Sequence, residues 1–201
     1  MPASLLVTGA LAGLSLIVAI GAQNALVLRQ GLRREHVGVV VAICAVSDAL
    51  LIAAGILGIG ALVERAPVAL EVVRWLGVAF LVAYGIVALR RATRPSTLDP
   101  AASPATGRRR VVLTALALTW LNPHVYLDTV LLLGSLANQH GEAGRWWFGA
   151  GAMAASVVWF AAIGFAARAA SRRLASPRTW RVIDVLVALT MFAVAALLAV
   201  G

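Results

Sequence analysis

The chain has 201 residues, 62% of them hydrophobic and 12% charged, with a formal net charge of +9. An ordinary soluble domain is about 45–50% apolar and about 25% charged, and a chain of this length cannot bury so much apolar surface in water, so a water-soluble enzyme is excluded. The positive charge does not point to nucleic acid, because the basic residues sit between apolar runs instead of along one face.

Two absences narrow the chemistry. All 17 basic residues are arginine, so the lysine of a phosphate-binding loop and the lysine of a Schiff base are both missing. The single cysteine, Cys44, lies inside an apolar run, which rules out an intrachain disulfide and gives no support to a cysteine-based metal cluster.

Six apolar runs follow one another at 5–28, 37–63, 72–89, 111–137, 146–170 and 182–200, each near the roughly 20 residues that a membrane-crossing helix needs. The first has no basic start and meets its first arginine only at Arg29, unlike a cleaved leader. It is expected to be a retained span, with a re-entrant first segment and five spans as the alternative. Gly9 and Gly13 form a G-x-x-x-G pattern that signals close helix packing. The segment 90–110 carries Pro95, Pro100 and Pro104 among Ser, Thr, Gly and Arg, too little apolar surface to fold. It divides the chain into a first unit of three spans (1–89), a basic linker (90–110) and a second unit of three spans (111–201).

Orientation follows from arginine placement, since short cytoplasmic loops carry an excess of basic residues. With six spans, the first, third and fifth connections share a side and hold 14 arginines, against 3 on the other. This puts the linker in the cytoplasm and both termini outside, in the cell membrane. Trp75, Trp146, Trp147 and Trp180 lie near span ends, where amphipathic rings settle at the headgroups.

The two halves align weakly but in a common order. Residues 47–55, from Ser47 to Gly55, match 156–164, from Ser156 to Gly164; residues 21–24 match 119–122; and Arg74 matches Arg181. An odd number of spans per repeat forces the halves to point in opposite directions, the inverted-repeat design of many secondary transporters, with substrate bound near the midplane where broken helices meet. The expected fold is therefore an all-α integral membrane protein with six transmembrane helices arranged as two inverted three-helix repeats.

Pro123 is the one proline inside a span, and it should kink or break the helix there. A break frees carbonyls on one side and a half-helix N-terminus on the other, groups suited to an ammonium and a carboxylate respectively. Asn122 and His124 flank it, and Gln23-Asn24 occupies the matching place in the first half. The competing explanation is a packing kink whose Asn satisfies freed backbone. Asp48 in the second run and Asp128 in the fourth would cost about 2.5–3.5 kcal/mol each at mid-bilayer, so each should face a cavity or a partner, Arg74 being one such partner for Asp48. Helical spacing puts His124 and Asp128 on one face, so they can share a proton or simply pack. Asp184, near Arg181, reads as a solvated or paired end residue, and Tyr126 as a packing residue. The three histidines are too scattered to hold a metal, and no cofactor is expected.

The segments Gly21-Ala22-Gln23-Asn24 through Gly31, Ser47-Asp48 and Leu121-Asn122-Pro123-His124-Val125-Tyr126-Leu127-Asp128-Thr129 closely resemble the LysE family of amino-acid exporters, and the resemblance runs over nearly the whole chain. Gly-Ala-Gln-Asn is similar to the basic-amino-acid branch, whereas the homoserine and threonine exporters typically carry Pro-Gly-Pro-Asn. The resemblance implies export of L-lysine or L-arginine, driven by the proton or membrane-potential gradient. Substrate-binding candidates are then Gln23, Asn24, Asp48, Asn122, Pro123 and Asp128, with Asp48, His124 and Asp128 as a proton relay; the fold leaves room for a homo-oligomer. Export of another amino acid or of a divalent metal is the alternative, although two deep carboxylates are few for a hard cation. A non-transporting lipid enzyme or scaffold finds no supporting motif.

Overall fold

The computed structural model describes residues 2–18, 21–58, 67–93, 107–122, 125–171 and 177–200. Among these residues every regular element is helical: α1 (Pro2–Ile17), α2 (Ala22–Arg33), α3 (Val37–Ile56), α4 (Pro67–Thr93), α5 (Arg108–Trp120), a π-helix (Tyr126–Leu133), α6 (Gly134–Asn138), α7 (Gly141–Ala170) and α8 (Pro177–Val200). Three of them begin on a proline, whose missing N–H is no loss in the first turn and whose fixed φ suits a helix start. α3 is rich in valine, which in water lowers helix propensity. In hydrocarbon every backbone group must be satisfied within the segment, and that requirement overrides side-chain preference.

Among the described residues four helices are long and apolar enough to cross a bilayer: Val37–Ile56, Glu71–Thr93, Gly141–Ala170 and Arg181–Val200. The first apolar run is not one straight helix: α1 and α2 meet at an angle of 84°. The fourth run is also divided, because α5 ends at Trp120 and the helix resumes at Val125. At 13 residues α5 spans only about 20 Å, short of the roughly 30 Å hydrocarbon core. Among the described residues, four uninterrupted helices and two broken segments thus stand where six spans were expected, the fourth with a kink or break at Pro123.

Packing joins the halves. α1 lies along α7, α4 pairs with α8, and α3 packs on α7. Gly9 and Gly13 bring α1 onto α7: a Cβ on Gly9 would stand 1.9 Å from the Phe148 carbonyl oxygen, and one on Gly13 would stand 3.0 Å from the Cα of Ala152. A second pair of crossings falls at the two glycines that close the aligned sequence segments. Gly31 of α2 abuts the Gly164 carbonyl of α7, and Gly134 of α6 abuts the backbone of Gly55 in α3. Gly55 and Gly164 are the closing residues of the aligned segments, so each half's long helix receives the broken segment of the other half.

The larger apolar core draws on α2, α3, α4, α5, α7 and α8; a smaller one gathers Ile52, Ile56, Leu133, Ala137, Phe148 and Ala152. Outside them, large apolar side chains such as Val158 and Leu197, each 65% exposed, cover the surface. Such a surface is a liability in water and ordinary against lipid.

Candidate functional site

The two breaks present polar groups inward, and at each break a side chain satisfies a carbonyl left by the interruption. At the first, Asn24 Nδ2 donates to the Ile17 carbonyl at 2.7 Å. At the second, the Tyr126 hydroxyl donates to the Trp120 carbonyl at 2.8 Å, a role beyond the packing expected of it. Carbonyls at a helix C-terminus have no intrahelical partner, and in a bilayer leaving them unmet costs several kcal/mol.

Asn24 is also an acceptor, since Trp159 Nε1 of α7 donates to its Oδ1 at 3.2 Å. One helical turn from Trp159, Ser156 is fully buried, and its Oγ donates to Asp48 Oδ2 at 2.7 Å. Asp48 is 3% exposed. Its neighbour Ser47 accepts from Trp120 Nε1 at 3.2 Å. Gln23 lies close enough to Asp48 and Cys44 to interact with both, although its Nε2 is buried without a hydrogen bond of ordinary geometry. α2, α3, α7 and the end of α5 therefore converge on one polar cluster.

Of the sequence-expected residues, the structure brings together Gln23, Asn24 and Asp48. Asn122 and Asp128 are half-buried on the fourth segment, and each has an interaction partner; the hydrogen bonds above reach that segment through Trp120. Pro123 and His124 lie outside the described residues. Asp128 sits in the π-helix, where bonds run i→i+5. Thr129 bonds back to the Val125 carbonyl in the same stretch.

Arg74 is not the partner of Asp48. It donates to the carbonyls of Leu198 and Ala199 at the end of α8 and pairs with Glu71. Asp184 is paired, but not with Arg181: it is 5% exposed, and its Oδ1 lies 3.5 Å from both Arg29 Nε and Arg91 Nε. Sequence reasoning missed Ser156, Trp120 and Trp159 as members of the cluster. The one signal available was the place of Ser156 opposite Ser47 in the repeat. Among the described residues no three His, Cys, Asp or Glu side chains converge to hold a metal ion.

What the arrangement offers is a buried carboxylate with one oxygen held by a serine, the amides of Gln23 and Asn24 on α2, and two interrupted helices. A carboxylate so placed can neutralise a cation or exchange a proton.

Comparison with known proteins adds a lineage to this geometry. The LysE type translocator family matches residues 14–201. A putative amino-acid transporter of Mycobacterium tuberculosis is 53% identical over 90% of each chain. A protein of Corynebacterium diphtheriae named lysine exporter LysE is 41% identical over 94% of this chain and 95% of its own. One of Yersinia enterocolitica named arginine exporter protein ArgO is 46% identical over 90% of this chain and 89% of its own. No solved structure matches the chain.

Proposed function

The chain belongs to the LysE family of translocators, and from that premise we propose that it is a secondary transporter of the cell membrane that exports a basic amino acid, L-lysine or L-arginine. The observation that carries this reading is that relatives named for lysine export and for arginine export both align with at least 90% of the chain.

In the proposed mechanism the cargo meets two kinds of group. The amides of Gln23, Asn24 and Asn122, with the break around Pro123, receive its α-ammonium and α-carboxylate; Asp48 or Asp128 takes its side-chain charge. Exporting a cation opposes an inside-negative potential by about 2.3 kcal/mol per charge per 100 mV, so uphill export requires a compensating ion, and an entering proton serves. Asp48, fixed by Ser156, exchanges that proton, with His124 and Asp128 as the relay in the second half. The reciprocal contacts of Gly31 with Gly164 and of Gly134 with Gly55 support two inverted repeats that rock about the α3–α7 contact. The arginine distribution keeps the linker cytoplasmic and both termini outside.

The test is flux in reconstituted vesicles. Labelled L-arginine and L-lysine are expected to move, faster against an opposing proton gradient, while L-leucine and Mn²⁺ are not. Manganese flux without movement of a basic amino acid would overturn the reading.

A further inference from the structure

A second buried polar feature lies apart from the Asp48 cluster. A pocket of about 630 Å³ opens between α2, the C-terminal end of α4 and the N-terminal end of α5, with Arg29, Gln30, Arg33, Tyr84, Arg91 and Arg110 on its wall. It shares Phe80, Arg110 and Thr114 with an apolar groove of about 710 Å³ that runs on past Leu113 and Ala117.

The charge in the pocket is not balanced. Arg29 and Arg91 share one carboxylate, Asp184, and Arg33 pairs with Glu35 at 3.2 Å. Among the described residues no acid pairs with Arg110. Nor, among the described residues, are the hydrogen bonds satisfied: Arg29 Nε, Arg91 Nε and Arg91 Nη2 are buried without a hydrogen bond, and Arg29 as a whole is only 7% exposed. Asp184 Oδ1 likewise accepts no hydrogen bond, so it neutralises charge without occupying the donors. Four guanidiniums, those of Arg29, Arg33, Arg91 and Arg110, thus stand on one pocket wall with fewer carboxylates than charges, and a phosphate meets guanidinium groups in the geometry arginine favours. Arg91 also lies 5.8 Å over the Tyr84 ring, and both residues line the pocket.

We propose that this pocket binds the phosphate of an anionic phospholipid, with an acyl chain laid along the adjoining groove of Phe80, Leu113 and Ala117. A lipid is the occupant that uses both parts, the donor-rich pocket and the apolar groove that continues from it; a free phosphate or a cargo carboxylate uses only the first. Basic pockets between helices at the cytoplasmic side suit acidic headgroups, and the arginine distribution puts the ends of α2 and α4 on that side. A cationic cargo would be repelled here, which separates this pocket from the transport site.

The experiment uses the full chain, stripped of lipid in detergent, and reads lipid adducts by native mass spectrometry and thermal stability in vesicles. Phosphatidylglycerol is expected to be retained over phosphatidylcholine, and Arg110→Gln and Arg91→Gln are each expected to weaken that retention roughly fivefold. Asp184→Asn, which frees two guanidiniums, is expected to be less stable in phosphatidylcholine and to recover in phosphatidylglycerol, an effect opposite in sign to the arginine variants. Arg168→Gln, outside the pocket, is expected to leave retention unchanged. Equal retention of the two lipids, full retention by both arginine variants, or displacement of phosphatidylglycerol by inorganic phosphate or by L-arginine would overturn the proposal.

Discussion

Ser156 Oγ donates to Asp48 Oδ2 at 2.7 Å, a bond between α3 of the first half and α7 of the second, made by two residues that are both buried. It fixes the orientation of a carboxylate that would otherwise be costly at this depth, and it does so across the contact about which the proposed repeats turn. Ser156→Ala removes the donor with little change in volume, and hydrogen bonds to charged groups contribute about 1.5–3 kcal/mol. A loss of that size in thermal or denaturant stability is expected, together with slower arginine efflux.

Asp48→Asn keeps an acceptor for Ser156 and removes only the charge. It is expected to fold with near-normal stability and to lose proton-driven export of basic amino acids. Efflux at the normal rate, with unchanged dependence on the proton gradient, would remove Asp48 from the proposed mechanism.

Gly55→Ala places a methyl 2.5 Å from the Val130 carbonyl oxygen. Backbone cannot step aside as a flexible side chain can, so about 1–3 kcal/mol of destabilisation is expected. Gly38→Ala on the same helix meets nothing within 4 Å and should be neutral or stabilising, by up to about 1 kcal/mol, through better helix propensity. At Gly164, the aligned position, the three nearest atoms to an added methyl belong to the side chains of Val41, Val37 and Val27, and Gly164→Ala is expected to cost less than Gly55→Ala. Melting temperatures of the three variants in one detergent rank them.

Tyr126→Phe withdraws the hydroxyl from the Trp120 carbonyl and leaves that carbonyl without its donor at the break. A cost of about 1–3 kcal/mol is expected, read as stability. Asn24→Ala removes both the donor to Ile17 and the acceptor for Trp159, and should cost more than Tyr126→Phe.

Topology is tested by a single-cysteine reporter at Thr106 in a Cys44→Ala background. An impermeant thiol reagent is expected to label it in inside-out vesicles and not in intact cells if the linker is cytoplasmic, as proposed.

Much of the architecture was legible before any coordinates. Runs of apolar residues near 20 long can be satisfied only as helices in lipid, and those at 37–63, 72–89, 146–170 and 182–200 each contain a long helix. Gly9 and Gly13 signalled a close helix crossing, since only small residues permit it, and the structure gives α7 as the partner. The interruption of the fourth run was legible from Pro123, because proline cannot continue the bonding ladder. The first run has no internal proline, and its bend between Ile17 and Ala22 left only Gly21, Gln23 and Asn24 as a trace. Hydropathy is read along the chain and is insensitive to a change of direction.

Sequence by itself determined that this chain is a membrane protein and that Asp48 lies within an apolar run, because composition and spacing bear directly on the cost of leaving water. Tertiary structure alone decided the partners. Asp48 meets Ser156, Asn24 meets Trp159, and Asp184 is shared by Arg29 and Arg91 in place of its sequence neighbour Arg181. Those partners are separated by tens of residues or more, and which of them meet depends on helix crossings set by glycine contacts and broken segments, information that no local pattern contains.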